Sequence, residues 1–246
     1  YEYGSYREVW RYDPDDESWT PCADLPEQLN TLSATVHDGT MIVCGTVIDW
    51  ENSTARSVLY AYDTTTNAWK AHDATHVPYA ASIVDAEGQL LLVGGSTEMS
   101  ASTLSPLQNG NIATLDLASG TVTPVGNLEK ACCVPQVAAD GTDVYVCQGV
   151  TLGKDSTGQV SGMQKLTKNA DGYAAADISS ALPLVRSTTH KLHGTYGLAM
   201  TSEGPVISGA LVYADSSETT FLDADTFIST DGGSSFSDFG KRVYRA

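Results

Sequence analysis

Leu59-Tyr60-Ala61-Tyr62-Asp63, answered six residues after the Asp by Trp69 and later by the apolar run Gln89-Leu90-Leu91-Leu92-Val93 into Gly94-Gly95, is the stretch on which the fold turns. An apolar strand ends at an Asp whose carboxylate can accept backbone N–H groups in the next turn. The indole then brings a large apolar surface back along the returning strand. The same cassette opens the chain as Trp10-Arg11-Tyr12-Asp13 with Trp19. Fainter copies are Thr114-Leu115-Asp116 with Val122 and Lys165-Leu166-Thr167 with Tyr173, and a variant is Ile228-Ser229-Thr230-Asp231 with Phe236. A strand-built repeat of about 50 residues implies a radial or stacked architecture in which no single copy buries its own apolar face.

Between cassettes lie two further strands each time, around Asp/Gly-rich turns at 37–40, 85–88, 140–142 and 202–204. Apolar run, turn and apolar run is a hairpin pattern. Adding the cassette's own two strands predicts four antiparallel strands per repeat, the blade of an all-β propeller, with no helix longer than a turn. The runs are almost continuously apolar, as expected of sheets covered on both faces.

The order of apolar run, Gly-Gly, long connection, Tyr-x-Tyr-Asp and a Trp six residues on resembles the kelch repeat. Tyr12, Asp13 and Trp19 carry it in the first copy, and Tyr62, Asp63, Trp69, Gly94 and Gly95 in the second. Gly45, Gly149 and Gly209 keep one glycine of the pair, while the third copy lacks the Tyr and Trp and the fourth lacks the Asp. The last copy is similar to an Asp-box, with Ser229, Asp231, Gly233 and Phe236 at its hallmark positions; such a box is a turn between outer strands of a blade. The resemblance implies a galactose-oxidase-like kelch propeller filling residues 1–246 as one domain, with repeats near 1–26, 27–75, 76–128, 129–182 and 183–246. The chain opens on the outer half of a blade, and Lys241-Arg242-Val243-Tyr244-Arg245 reads as the start of one more strand. Two outcomes remain open, a nearly closed five-bladed ring and an incomplete six- or seven-bladed one. The start at Tyr1, without Met, reads as a piece of a longer protein.

Apolar residues make up 41% and charged residues 17%, with 30 Asp and Glu against 13 Lys and Arg and a net charge of −17. That balance argues against a nucleic-acid backbone or an anionic membrane as partner. No run reaches the roughly 18 apolar residues of a membrane-spanning helix. The Ser/Thr/Gly-rich, Lys-poor composition and the Asp-box favour an extracellular or cell-surface bacterial setting; a monomer is expected. Cys22, Cys44, Cys132, Cys133 and Cys147 form no metal-type spacing. Buried thiols are expected, the alternative being one disulfide from the Cys132/Cys133 segment to Cys147.

No catalytic constellation emerges. A sialidase-type site needs three convergent arginines, and only Arg7, Arg11, Arg56, Arg186, Arg242 and Arg245 exist, four of them near the termini. A copper radical oxidase needs paired Tyr and His, yet His37, His72, His76, His190 and His193 read as exposed loop residues, with His190 and His193 spaced to clip a metal only from a loop. A sugar mutarotase would need few fixed residues. Asp13-Pro14-Asp15-Asp16-Glu17-Ser18 lacks the EF-hand pattern and reads as a polar turn. Neither a metal nor a cofactor is expected.

The connections at 46–57, 96–109, 151–161 and 211–219 are long and should emerge on one face together with the links between blades. Trp50, Arg56, Met99, Leu104 and Leu107 are expected there, and Arg186, His190, Lys191 and His193 on the link into the last hairpin. The expectation is a non-catalytic module binding a protein or glycan through this face. The alternative is a carbohydrate-active enzyme of mutarotase, sialidase or galactose-oxidase type.

Overall fold

The computed structural model describes residues 7–99, 106–107, 110–152, 157–182, 190–192, 197–214 and 220–241. A two-stranded sheet, β1 (Trp10–Asp13) and β2 (Ser18–Pro21), comes first. Three four-stranded antiparallel sheets follow. The first holds β3 (Thr31–His37), β4 (Thr40–Asp49), β5 (Thr54–Asp63) and β6 (Ala68–His72). The second holds β7 (Ser82–Ala86), β8 (Gln89–Val93), β11 (Asn111–Asp116) and β12 (Thr121–Asn127), with the small ribbon of β9 (Glu98–Met99) and β10 (Pro106–Leu107) between its middle strands. The third holds β13 (Gln136–Asp140), β14 (Asp143–Leu152), β15 (Thr157–Asn169) and β16 (Gly172–Asp177). The last sheet orders β18 (Gly197–Thr201), β19 (Gly204–Ala214), β20 (Thr220–Ile228) and β21 (Ser237–Lys241), with β17 (His190–Leu192) added to the far end of β19. These are four blades, A to D, preceded by a half-blade. Among the described residues the helical content is one 3-10 turn, Ser179–Ala181.

The unbroken apolar runs are explained by what covers each sheet. In β4, Ile42 and Cys44 face blade B, while Val43 on the other face joins Leu25 and Val9 from the half-blade side. In β8, Leu90 and Leu92 face blade A, and Leu91 and Val93 face blade C. In β14, Val144 and Val146 face B while Tyr145 and Cys147 face D. Side chains alternate across a strand, so two covered faces require apolar residues at every position. Each such Leu, Ile or Val contributes about 1.5–3 kcal/mol on burial.

The inner strands follow another rule. β3 lies against β7, β7 against β13, and β13 against β18. Their outward N–H groups would be orphans at a sheet edge, and hydroxyls from the neighbouring blade supply partners. Ser33 Oγ accepts from Ile83 N–H at 3.0 Å, Thr35 Oγ1 from Asp85 N–H at 3.1 Å, and Ser82 Oγ donates to the Pro135 carbonyl at 2.6 Å. His37 Nδ1 meets Asp85 Oδ2 at 2.5 Å. His37 is therefore a half-buried inter-blade contact, and His72 closes β6 with Nδ1 on the Leu117 carbonyl at 3.1 Å. Both depart from the expectation of exposed loop histidines, because these ring nitrogens meet polar groups of the next blade. The run 190–192 likewise pairs with β19 as a strand, where an exposed loop was expected.

The cassette residues act at turns and seams. Asp63 Oδ1 accepts Thr65 N–H at 2.8 Å and Thr66 N–H at 3.3 Å, and Asp116 repeats the turn with Ala118 and Ser119. Asp13 and Asp16 cap the first turn at Asp15 and Ser18 in the same way, which accounts for that acidic run. Trp69 Nε1 donates to the Ala23 carbonyl at 2.8 Å, and Asn67 Oδ1 accepts both Ala23 N–H and Tyr62 OH. Gly94 and Gly95 have φ of +69° and +80°, and a Cβ there would lie 2.4 Å from the Cys132 carbonyl or 2.6 Å from that of Tyr79. In the Asp-box, Asp231 accepts from Ser229 Oγ, Ser235 N–H and Ser235 Oγ, while Gly233 N–H donates to Ser229 Oγ. Phe236 and Gly233 pack towards Tyr145 and Ile178 at the seam between blades C and D.

The half-blade presents an open face. Trp10, Tyr12 and Trp19 are 50%, 46% and 62% exposed, although Tyr12 and Trp19 pair as Tyr62 and Trp69 do, with ring centroids at 4.9 and 4.8 Å. Leu32 and Val36, on the side of β3 turned from blade B, are exposed too. The further strand expected after Lys241 lies at residues 242–245, outside the described residues. All five cysteines are free thiols, and Cys132 and Cys147 lie in seams on opposite sides of blade C, which rules out the alternative disulfide between them.

Candidate functional site

Among the described residues, three of the four long connections, 46–57, 151–161 and 211–219, are largely strand. β4 continues to Asp49 and β5 starts at Thr54, so 46–57 is a two-stranded arm closed by a four-residue turn. β14 and β15 extend likewise through 152 and from 157, past a register shift at Cys147/Gly149. β19 and β20 shift between Ser208 and Ala210 and carry their arm to Ala214 and from Thr220. These segments are polar enough to read as loops, but β-branched residues on paired arms continue the ladder.

Trp50 stands at the tip of the blade A arm, 62% exposed. Its turn is held by Asp49, whose carboxylate accepts Glu51 N–H and Asn52 N–H at 3.0 Å each and the Asn52 amide at 2.7 Å. The Asn52 bonds keep the Asp49 carboxyl below its ordinary range. The indole walls a groove of about 280 Å³ with Glu27, Val47 and Ile48.

Glu27 joins this groove to a larger cleft. One carboxylate oxygen pairs with Arg56 Nη2 and the other accepts from Tyr60 OH. The Glu27 hydrogen bond raises the Arg56 pKa, and burial, then Glu27, raises that of Tyr60. Arg56 is thus a neutralised cation on the rim.

The cleft, about 550 Å³, opens where the blade A arm meets the link from blade A to blade B. Arg56 and Tyr60 line one side, with Ser57 beneath, and His72, Asp73, His76 and Tyr79 line the link side. Ser57 lies directly across from Thr46. Thr46 Oγ1 accepts Ala80 N–H at 2.8 Å, but the buried Ser57 hydroxyl has no hydrogen-bond partner. Buried polar atoms are almost always paired, so this orphan hydroxyl in the wall behind the cleft is an exception. Asp73 accepts Thr75 N–H and Oγ–H at 2.9 and 2.6 Å, and the Thr75 bonds lower its pKa. His72 Nδ1 faces a carbonyl, which only accepts, so Nδ1 is the donor.

A wider hollow at the opposite end, about 780 Å³, is lined by His37, Lys70, Asp63 and Asp116. Three of its polar groups are already committed: Asp63 and Asp116 to their turns and His37 to Asp85. The arm-side cleft is the better candidate.

Of the sequence-predicted positions, Arg56 lines the cleft and Trp50 the adjoining groove, connected through Glu27. Met99 is half-buried on β9 and does not line the cleft. His190 begins β17 on blade D, opposite Ala214. Arg186, His193 and Leu104 lie outside the described residues. Sequence reasoning passed over Ser57, Asp73 and Tyr79. Only the placement of 73–79 between two blades could have pointed to the last two, and nothing local marks Ser57.

No family model matches the chain, and no curated protein matches it significantly. Among solved structures, the structure of YjhT aligns over 96% of this chain and 78% of its own, with a TM-score of 0.69 at 11% identity. The fold is a β-propeller. Its blades are kelch-like, and at that identity the likeness carries the fold and nothing of the chemistry.

Proposed function

We propose that the propeller is a non-catalytic binding module of a secreted or cell-surface protein, taking a protein or glycan through its arm-side face as a monomer without cofactor. The observation that carries this reading is the cleft between blades A and B, lined by Arg56, Tyr60, His72, Asp73 and Tyr79, with an exposed indole in the groove beside it. Its volume falls within the range of small-ligand sites, and its few polar groups converge on a partly apolar wall. Tyr60 OH donates to the Glu27 carboxylate, whose other oxygen is held by Arg56. The Arg56–Glu27–Tyr60 unit is rigid and charge-balanced, suited to recognition.

Immobilised protein presented with panels of glycans and of extracellular proteins tests the reading. Binding is expected for the parent chain and is weakened by Trp50→Ala and by Arg56→Ala. Incubation with sialosides, galactosides and free aldoses is the counter-test. Turnover that disappears in those same two variants would replace the binding module with a carbohydrate-active enzyme.

A further inference from the structure

The cassette of β5 and β6 and its copy in β1 and β2 match position by position, yet only one of them is filled. Asp63 and Asp13 end their strands, Asn67 and Glu17 follow four residues on, and Trp69 and Trp19 six residues on. Asn67 and Glu17 both take the left-handed backbone, at φ +52° and +57°. The Tyr62–Trp69 and Tyr12–Trp19 ring pairs are tilted alike, by 44° and 42°.

On blade A this turn clasps extended backbone. Asn67 Oδ1 accepts the Ala23 N–H at 2.7 Å, and Trp69 Nε1 donates to the Ala23 carbonyl at 2.8 Å. One residue of the segment leaving the half-blade is thus held through both of its backbone polar groups. Two residues further on, Leu25 is buried in one cluster with Tyr60, because alternate side chains of an extended segment share a face. The turns of blades B and D also meet the end of the preceding outer strand, His72 at Leu117 and Ile178 at Gly233. The half-blade's copy is open instead. Tyr60 and Tyr62 are 7% and 5% exposed, against 50% and 46% for Trp10 and Tyr12 at the same positions. Trp19 Nε1 and the Glu17 carboxylate have no hydrogen-bond partner among the described residues.

We infer that this open copy is a docking site for an extended, basic segment of a partner protein, gripped at one residue by Glu17 and Trp19. The filled clasp supplies the geometry: the N–H of the gripped residue goes to Glu17 and its carbonyl to Trp19 Nε1. An apolar side chain two residues beyond falls on Trp10, as Leu25 falls beside Tyr60. The charge comes from the turn. Glu17 puts a carboxylate where blade A has a neutral amide, which makes the N–H bond charge-assisted. Asp15, Asp16 and Glu17 are exposed around it. The nearby cations are turned elsewhere, Arg7 to the Pro26 carbonyl and Arg11 to the blade A face that β1 shares with Val9. A second copy of this chain suits the site poorly. Each copy carries a net charge of −17, and its own Ala23 and Leu25 are already held by blade A.

Fluorescence anisotropy with the intact protein tests this, using labelled Lys-Lys-Ala-Lys-Leu-Lys and three altered forms. One is N-methylated at Ala, one has Leu moved next to Ala, and one carries Glu in place of every Lys. The Lys peptide is expected to bind and the Glu peptide to fail. N-methylation removes the donor to Glu17 and is expected to weaken binding about tenfold. Trp19→Phe, which keeps a ring and removes the indole N–H, is expected to do the same. Moving Leu off the Trp10 position should cost about threefold. Trp19 is exposed, so the variant is expected to keep the parent circular dichroism spectrum. Trp50→Ala, on the arm of blade A, is expected to leave peptide affinity unchanged. No binding of the Lys peptide at millimolar concentration, or equal binding of the Lys and Glu peptides, would overturn the inference. Affinity moved neither by N-methylation nor by Trp19→Phe would overturn it too. So would a dimer in sedimentation that dissociates in Trp19→Ala, because the occupant would then be a second copy.

Discussion

Trp69 and Trp19 hold the same place in two copies of one cassette, and replacing each by Ala should have very different consequences. Trp69 packs at the seam with Val43 and Tyr60, touches Tyr62 at 4.8 Å between ring centroids, and donates Nε1–H to the Ala23 carbonyl. Truncating a buried aromatic costs about 3–5 kcal/mol. Trp69 is only partly buried, so about 2–3 kcal/mol is the packing share, and the lost hydrogen bond adds about 1 kcal/mol. The expected total is about 3–4 kcal/mol. Trp19 is 62% exposed and keeps one aromatic partner, Tyr12. An aromatic pair is worth about 0.5–1.5 kcal/mol, so Trp19→Ala should cost about 1 kcal/mol. Urea unfolding followed by far-ultraviolet circular dichroism measures both, read as midpoint shifts at unchanged slope. Trp69→Phe separates the terms, since it keeps a ring in the seam and removes the donor. Equal losses for Trp19→Ala and Trp69→Ala would refute the reasoning, because they would mean that the half-blade face is covered in solution.

Gly95→Ala should cost more than about 3 kcal/mol or prevent folding, since φ is +80° and three backbone atoms lie within 2.9 Å of the new Cβ. Gly39→Ala, at φ +74° with nothing within 4 Å, should cost about 1 kcal/mol, and thermal melting compares the two. Asp231 and Asp177 both titrate at about 2. Hydrogen bonds from Ser235 hold Asp231 there, while at Asp177 burial pushes the carboxyl up and bonds from Lys130 and Ser179 outweigh it. Depressed carboxyls stabilise the fold above their unfolded value near 4, so this contribution should be complete above about pH 4 and disappear as the pH falls through about 2. Asp231→Asn should flatten that acid limb, and an unchanged limb would remove Asp231 from the account. Burial pushes the Cys44, Cys132 and Cys147 thiols up to about 12 and Cys133 to about 11. Native protein should therefore expose one reactive thiol, Cys22, to a disulfide reagent, with the other four counted only after unfolding.

The turns were legible from sequence because their chemistry is local. Asp63, Asp116 and Asp231 bind N–H groups two to four residues away, so their spacing alone discloses the turn. The blade was legible for a related reason: β8 must be apolar at Leu90, Leu91, Leu92 and Val93 when both its faces are covered. The arms were misread because Thr46 to Ser57 is polar enough for a loop, and only pairing across Thr46 and Ser57 shows it to be strand. The candidate site was legible in part, through Trp50 and Arg56, whose types are unusual for a turn and an arm. Its remaining members gain meaning only from partners far along the chain, Glu27 for Arg56 and Leu117 for His72.

By itself, then, the sequence determined a repeating four-stranded sheet, its turn chemistry and the acidic surface, because these depend on alternation, spacing and composition. The tertiary structure decided which cassette is buried and which exposed, which glycines tolerate no Cβ, and which hydroxyl lacks a partner. Each of those depends on what the next blade brings within a few ångströms. That proximity is set by packing between segments 34 to 50 residues apart, and no local pattern encodes it.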